Sequence, residues 1–202
     1  LNVELKKNIS LSIFIIIIGL YLIEFYLSYK YHYEKIPHGV NLEIYNKKNK
    51  FDLYLDLKKS GLNIVPRIDP KTFFTVEKQF NKEGFFPLSG ISNKITLSCN
   101  ELGYFSKYKS DRFGFNNNDV IWDKNIVDVI LIGDSFANGA CVNRENNISE
   151  NLIKNYDINT LNLGFDGNGP LIELATLKEY APIKFKNIIW LYYEGNDLKD
   201  LE

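Results

Sequence analysis

The sequence predicts an α/β protein with a parallel sheet, preceded by one helix that crosses a membrane. Three observations predict this arrangement. Apolar runs typical of buried strands alternate with helical patterns after residue 126, a polar motif that contains glycine follows each run, and an uncharged apolar segment lies near the N-terminus. The chain has 202 residues, which is enough for one packed domain with additional segments.

The composition excludes several classes of partner. The net charge is -1, and no basic stripe with interleaved aromatic residues occurs, so we expect no nucleic-acid partner. The two cysteines, Cys99 and Cys141, cannot supply the four ligands of a structural zinc site, and we expect neither a metal nor an organic cofactor. We predict a disulfide between them if this part of the chain lies in an oxidising compartment. The alternative is two buried, unreactive thiols.

Residues 9–29 form the expected membrane segment. Residues 9–23 carry no charge, and the apolar character continues to Leu27 with one interruption at Glu24. A span needs about 20 apolar residues, and tyrosines at one end are typical of the headgroup region. The sequence therefore favours an uncleaved signal anchor over residues 1–35. The alternatives are a buried core helix and a cleaved signal peptide, although the bulky residues 28–31 do not resemble a cleavage site.

Residues 36–125, here called the lead-in region, predict mixed α and β structure. Residues 51–60 followed by Gly61 predict a short helix that ends at a glycine, while the alternation over residues 51–57 is also compatible with a strand. Scattered prolines indicate irregular, partly β structure. The region either packs on the main domain or forms a small module of its own.

From residue 126 to residue 202 the pattern predicts β-loop-α-β-loop-α-β. The expected strands are residues 126–132, 159–163 and 187–193, and the expected helices are residues 149–156 and 170–181. Strands that are apolar along their whole length, with helices between them, indicate a parallel sheet covered on both faces. In such sheets ligands bind beyond the carboxyl ends of the strands.

A polar motif follows each predicted strand. The first block is Gly133-Asp134-Ser135, the second block runs from Asn162 to Gly169, and the third block is Gly195-Asn196-Asp197. A serine at a strand-to-helix turn presents its hydroxyl to the crevice, and backbone N–H groups and an asparagine amide can stabilise an oxyanion. Each block alone also fits an ordinary turn, with helix-capping residues or glycines at positive φ. Their common position at strand ends favours a site.

Together the three blocks resemble those of the SGNH hydrolase family over residues 126–202. The resemblance implies a three-layer α/β/α, flavodoxin-like domain. It also implies that Ser135 is the nucleophile, and that Gly167 of the second block and Asn196 of the third complete the oxyanion hole. Residues 110–117 are similar to bacterial members that carry an N-terminal membrane helix.

Two features depart from the family pattern. Glu194 precedes Gly195 where the family usually has a glycine, and no Asp-x-x-His block occurs. The only histidines, His32 and His38, lie beside the membrane segment and are assigned no role. We therefore expect the catalytic histidine to lie beyond Glu202, and the 202-residue chain by itself to be inactive.

The resemblance implies a serine esterase or O-acyltransferase that acts on an oxygen ester through an acyl-serine intermediate. A membrane anchor favours a cell-surface glycan or lipid ester as the substrate. The alternative is a catalytically inactive, SGNH-like module that binds acylated surface glycans. An Asp-x-x-His sequence after Glu202 would distinguish the enzyme from the binding module.

We predict a single-pass membrane protein with residues 36 onward outside the cytoplasm. Lys6 and Lys7 precede the span and Lys30 and Lys35 follow it, so flanking charge favours neither orientation, and the prediction rests on the expected surface substrate. Protease added to intact spheroplasts should digest the region after residue 36. Protection of that whole region would reverse the topology.

Overall fold

The computed structural model describes residues 3–34, 48–70, 72, 86–101, 103–182 and 184–195. The chain divides into two compact units, Leu1–Leu42 and Glu43–Glu202. Each unit is described by itself.

The first unit contains one long helix, α1, at Val3–Glu34. Its segment Lys7–Lys30 has 24 residues with a mean hydropathy of 2.2, and none of its most apolar window is buried within the protein. A helix of that length extends about 36 Å, which exceeds the roughly 30 Å of a bilayer's hydrocarbon core. The predicted apolar helix is therefore confirmed, and it is long and apolar enough to span a membrane.

The second unit begins with helix α2 at Lys50–Lys59. The side chain of Asn49 caps its first turn, and Gly61 follows its last turn at a φ of +88°. The Leu62 N–H donates to the Leu57 carbonyl at 3.2 Å, which is the six-to-one bond of a Schellman motif. The structure thus has the helix with a glycine stop rather than the alternative strand.

A small mixed sheet follows in the lead-in region. Its strands are β1 at Ile64–Pro66, β2 at Ile95–Leu97 and β3 at Lys107–Lys109. Strand β2 lies in the middle, parallel to β1 and antiparallel to β3. The prediction of irregular, partly β structure is confirmed for the described residues.

The main sheet is parallel, and its strands and the two predicted helices occur in the order that the sequence predicts, with one further short α-helix after the first strand. Its strands are β4 at Val127–Gly133, β5 at Thr160–Asn162 and β6 at Phe185–Leu191, in the order β5-β4-β6. The intervening helices are α3 at Ser135–Asn138, α4 at Ile148–Tyr156 and α5 at Pro170–Tyr180. Both strand pairings are parallel, so the chain has an α/β fold.

Strand β6 differs from the prediction in position and burial. It begins two residues earlier than predicted, because Val127 of β4 pairs with Phe185 and Gly133 pairs with Leu191. Within the described residues it is an edge strand bonded only to β4, and its Phe185 and Trp190 side chains are 40% and 53% exposed. The described part of the chain therefore does not cover the sheet on both faces along this strand.

Residues from both sides of position 126 share one hydrophobic core. Phe115 and Ile121 of the lead-in region pack with Val127 and Ile130 of β4 and with Leu161 of β5. All of these residues are buried. The structure therefore favours a lead-in region that packs on the main domain, and the compact unit begins at residue 43.

A disulfide joins Cys99 to Cys141, as the sequence predicts. The Cα atoms are 4.6 Å apart, and the two cysteines are 42 residues apart in the chain. The bond links the segment after β2 to the loop after α3. It therefore fastens the lead-in region to the chain that follows the first block.

Removal of this disulfide should lower the free energy of unfolding by about 4 kcal/mol. The value follows from the conformational entropy that the unfolded chain loses when a cross-link closes a loop of this length. Urea unfolding of the Cys99→Ser, Cys141→Ser double variant measures it, and the parent with added reductant is the control. Alkylation of both cysteines in the folded, unreduced protein would contradict the bond.

Candidate active site at the strand ends

The carboxyl ends of the three parallel strands meet at one edge of the main sheet. Strand β4 ends at Gly133, whose partner in the register is Leu191, the last residue of β6. Strand β5 ends at Asn162, opposite Leu131. The Phe165 N–H then donates to the Gly133 carbonyl at 3.2 Å, so the second block runs alongside the first. The structure thus brings the first two blocks together.

Ser135 is the first residue of α3, directly after β4. The side chain of Asp134 caps this short helix by accepting a hydrogen bond from the Phe136 N–H at 3.1 Å. Gly133 has a φ of +148°, and a Cβ atom there would lie 2.7 Å from the Leu191 carbonyl oxygen. A glycine is therefore required for the turn. Asp134 has the capping role of the ordinary-turn interpretation, while Ser135 is half-buried and lines a cavity.

The second block passes in close contact with α3. A Cβ atom on Gly164 would lie 2.4 Å from the Cβ atom of Ala137, so only glycine allows this approach. Gly167 has a φ of +80°, in the left-handed region that favours glycine. The two glycines thus have different roles: Gly164 allows the packing, and Gly167 allows the turn.

The structure does not describe every residue that the sequence analysis considered. Asn196 lies outside the described residues, and so does His38. Gly195 is the last residue described before Asn196, and β6 leads the chain to the strand-end edge next to Gly133. His32 lies in α1, in the first unit.

A buried asparagine holds the second block against α3. Asn162 has no exposed surface, and its amide nitrogen donates to the Ala137 carbonyl at 2.6 Å. Its side-chain oxygen accepts a hydrogen bond from the Gly164 N–H at 2.9 Å. The amide nitrogen of Asn138 in turn donates to the Gly164 carbonyl at 3.2 Å. Hydrogen bonds from side-chain amides therefore join the backbone that follows Ser135 to the second block.

Two further asparagines of the lead-in region support this network. The Asn117 side chain donates to the Asn162 carbonyl and accepts from the Asn162 N–H, both at 2.8 Å. Asn116 donates to the Asn138 carbonyl at 2.9 Å. Sequence reasoning assigned these residues no role. The sequence feature that could have indicated this role is the run of three asparagines at 116–118, which directly follows the core residue Phe115.

The serine lies on a cavity of about 520 Å³, here called the Ser135 cavity. Arg67 and Asp166 line the same cavity and form an ion pair with side chains that are 7% and 19% exposed. Arg67 follows β1 in the lead-in region, and the Cys99–Cys141 disulfide forms part of the wall. Glu101 and Asn147 also line the cavity.

The carboxylate of Asp166 has a raised pKa. Burial raises the pKa of Asp166 to about 6, Arg67 opposes this rise, and the charge and a hydrogen bond of Asp69 add to it. Asp166 therefore takes up a proton at a pH close to neutral.

The fold and the site define an α/β protein with a serine at the strand-to-helix turn of its central strand, open to a cavity that also contains an ion pair. Comparisons of the chain with protein-family models, with curated proteins and with solved structures gave no significant match.

The carboxyl group of Asp166 should titrate with a midpoint near pH 6, and Asp69→Asn should lower that midpoint. Because the pKa in the folded protein lies above the unfolded value of about 3.9, the folded state holds this proton more tightly. The contribution of Asp166 to the free energy of unfolding should then fall as the pH rises from about 4 to about 6.

Carboxyl carbon NMR of the labelled protein measures the midpoint, and urea unfolding across the same pH range measures the stability. Asp123→Asn, which alters an exposed carboxylate bonded to Arg112, is the matched control and should leave the Asp166 midpoint unchanged. A midpoint at the ordinary aspartate value of about 3.9 would contradict the prediction.

Proposed function

We propose that this protein is a membrane-anchored serine esterase or O-acyltransferase of the SGNH type, with Ser135 as its nucleophile. The observation that carries the proposal is the position of Ser135. It is the first helical residue after β4, on a cavity, with the glycine-containing second block packed against its helix. The β5-β4-β6 order of the parallel sheet is compatible with the flavodoxin-like domain that the resemblance implies.

In the proposed reaction the Ser135 hydroxyl oxygen attacks the carbonyl carbon of an ester. A base takes the hydroxyl proton and gives it to the alcohol as that alcohol departs. The acyl group is then bonded to Ser135 as an acyl-serine. Water or a sugar hydroxyl then gives its proton to the base and attacks the acyl carbon, and the base returns that proton to the Ser135 oxygen as the acyl–serine bond breaks. The base is a histidine in the family that the chain resembles, and no histidine is among the described residues that line the cavity.

Three donors would stabilise the oxyanion of the tetrahedral intermediate. They are the backbone N–H groups of Ser135 and Gly167 and the side-chain amide of Asn196. The Ser135 and Gly167 N–H groups donate to no acceptor within the described part of the chain. Donors that are fixed before the reaction stabilise developing charge without a cost of reorganisation.

The proposed location is the extracytoplasmic side of a membrane. The disulfide between Cys99 and Cys141 supports it, since structural disulfides persist in oxidising compartments. The apolar helix at Lys7–Lys30 supports an anchor at the N-terminal side. A cell-surface glycan or lipid ester is the substrate that this location favours.

The second candidate is a catalytically inactive module that binds acylated surface glycans. The Asp134 cap favours it, because the first block already has a structural role in starting α3 that does not require catalysis. A cavity at the strand ends is sufficient for such a module.

Ser135→Ala should abolish hydrolysis of a small aryl acetate and labelling by a fluorophosphonate in the full-length protein. Asn196→Ala should lower the rate about a hundred- to a thousandfold, because it removes one oxyanion donor. Ser60→Ala, which alters an exposed serine after α2, is the matched control and should retain activity.

Esterase activity of Ser135→Ala equal to that of the parent would exclude Ser135 as the nucleophile. A full-length parent that neither labels nor hydrolyses esters, but binds an acylated glycan, would support the binding module instead.

A further inference from the structure

We infer that Arg67 and Asp166 form the substrate-recognition part of the Ser135 cavity, and that they bind the hydroxyl groups of a neutral sugar ester. This inference names the substrate class of the proposed function and rests on it. It also gives the lead-in region, which supplies Arg67, a part in specificity.

Arg67 is held in place before any ligand binds. Its backbone N–H donates to the Leu97 carbonyl at 2.9 Å, which continues the pairing of β1 with β2. One terminal guanidinium nitrogen donates to the Ser98 hydroxyl at 2.7 Å, and the other pairs with Asp166. The Arg67 carbonyl accepts a hydrogen bond from Lys50 at 3.1 Å. A buried guanidinium that is fixed on several sides loses little freedom when it binds a ligand.

The charges around Arg67 favour a neutral ligand. Asp166 pairs directly with the guanidinium, and the Asp69 carboxylate lies 3.8 Å from its Nε atom. Glu101 adds a further carboxylate to the cavity lining. Above about pH 6, where Asp166 is ionised, the positive charges of Arg67 and Lys50 are thus matched by Asp69 and Asp166 before Glu101 is considered. An anionic lipid headgroup or a uronate would lose its water on entering this cavity. Binding would then be unfavourable, because the charges of these two cations are already matched by carboxylates.

The hydrogen-bonding groups favour a ligand rich in hydroxyls. A hydroxyl can donate to the Asp166 carboxylate and also accept from a guanidinium N–H, so adjacent hydroxyls of a sugar match the ion pair. A wholly apolar ligand would remove water from the pair without supplying hydrogen bonds in its place. Within the described residues, Arg67 Nε and Asn147 Nδ2 are also buried without a hydrogen-bond partner, so two lining residues have unused donors.

Arg67, Asp166 and Ser135 line the same cavity, so one ligand can contact all three. The cavity volume of about 520 Å³ lies in the range of about 300–1,000 Å³ that is usual for small-molecule sites. The Cys99–Cys141 disulfide joins the segment next to Arg67 to the loop that follows α3, so both walls are fixed to one another. A sugar bound to Arg67 and Asp166 can therefore present an acyl group to Ser135.

The test compares kcat/KM of the full-length protein for an O-acetylated methyl glucoside, the corresponding acetylated glucuronate and a small aryl acetate. The parent should prefer the neutral sugar acetate over the glucuronate. Arg67→Gln and Asp166→Asn should each lower the ratio of sugar acetate to aryl acetate turnover about ten- to a hundredfold, mainly through KM. Arg112→Gln, at an exposed arginine paired with Asp119 and Asp123, is the matched control and should leave the ratio unchanged.

Arg67→Lys provides a second variant if Arg67→Gln does not fold. It keeps the charge but loses the planar fork, and should lower the same ratio by a smaller factor. A ratio that stays within about twofold of the parent in every folded Arg67 and Asp166 variant would overturn the inference, and so would a preference for the glucuronate.

Binding to the Ser135→Ala protein separates this inference from the proposed function. Calorimetric titration with the sugar acetate should give a dissociation constant that Arg67→Gln raises about ten- to a hundredfold. If the parent shows no esterase activity but this binding pattern holds, the recognition site stands and the proposed reaction fails. If the sugar acetate does not bind, the recognition site is wrong whatever the activity towards aryl acetate.

Discussion

The side chain of Asn162 is the interaction on which the serine site depends. It is fully buried at the end of β5, where it bonds the Ala137 carbonyl of α3 and the Gly164 N–H of the second block. Both backbone groups lie in an interior where an unpaired donor or acceptor costs about 1–3 kcal/mol. One amide therefore forms hydrogen bonds with two backbone segments at once. It thereby fixes the distance between the helix that begins with Ser135 and the loop that contains Gly167.

The same network makes the lead-in region part of the site. Asn117 bonds both backbone groups of Asn162, and it is itself held by the Asp111 carboxylate at 2.9 Å. Asp111 is buried and also accepts from the Trp122 indole N–H at 2.8 Å. Phe115, between these residues in the chain, enters the core beneath β4. Residues 111–117, which in the sequence resemble an ordinary connecting loop, therefore hold the strand ends in position by hydrogen bonds.

Local signals explain why much of the fold could be predicted. The apolar run over β4 and the glycine that follows it specify a strand and a sharp turn, and Gly61 specifies the end of α2. The predicted end of the third strand was displaced by two residues, because pairing with β4, and not the apolar pattern, decides where β6 ends. The exposure of β6 could not be predicted either, since burial depends on which elements cover a strand.

The sequence by itself determined the α/β order, the apolar N-terminal helix and the position of Ser135 at a strand end, because these follow from periodicity and turn chemistry over a few residues. Only the tertiary structure decided that Arg67 reaches the serine cavity, that Asn116 and Asn117 support it, and that Cys99 lies next to Cys141. These contacts join residues that are far apart in the chain. Their existence depends on the path of the backbone between them, which no local pattern encodes.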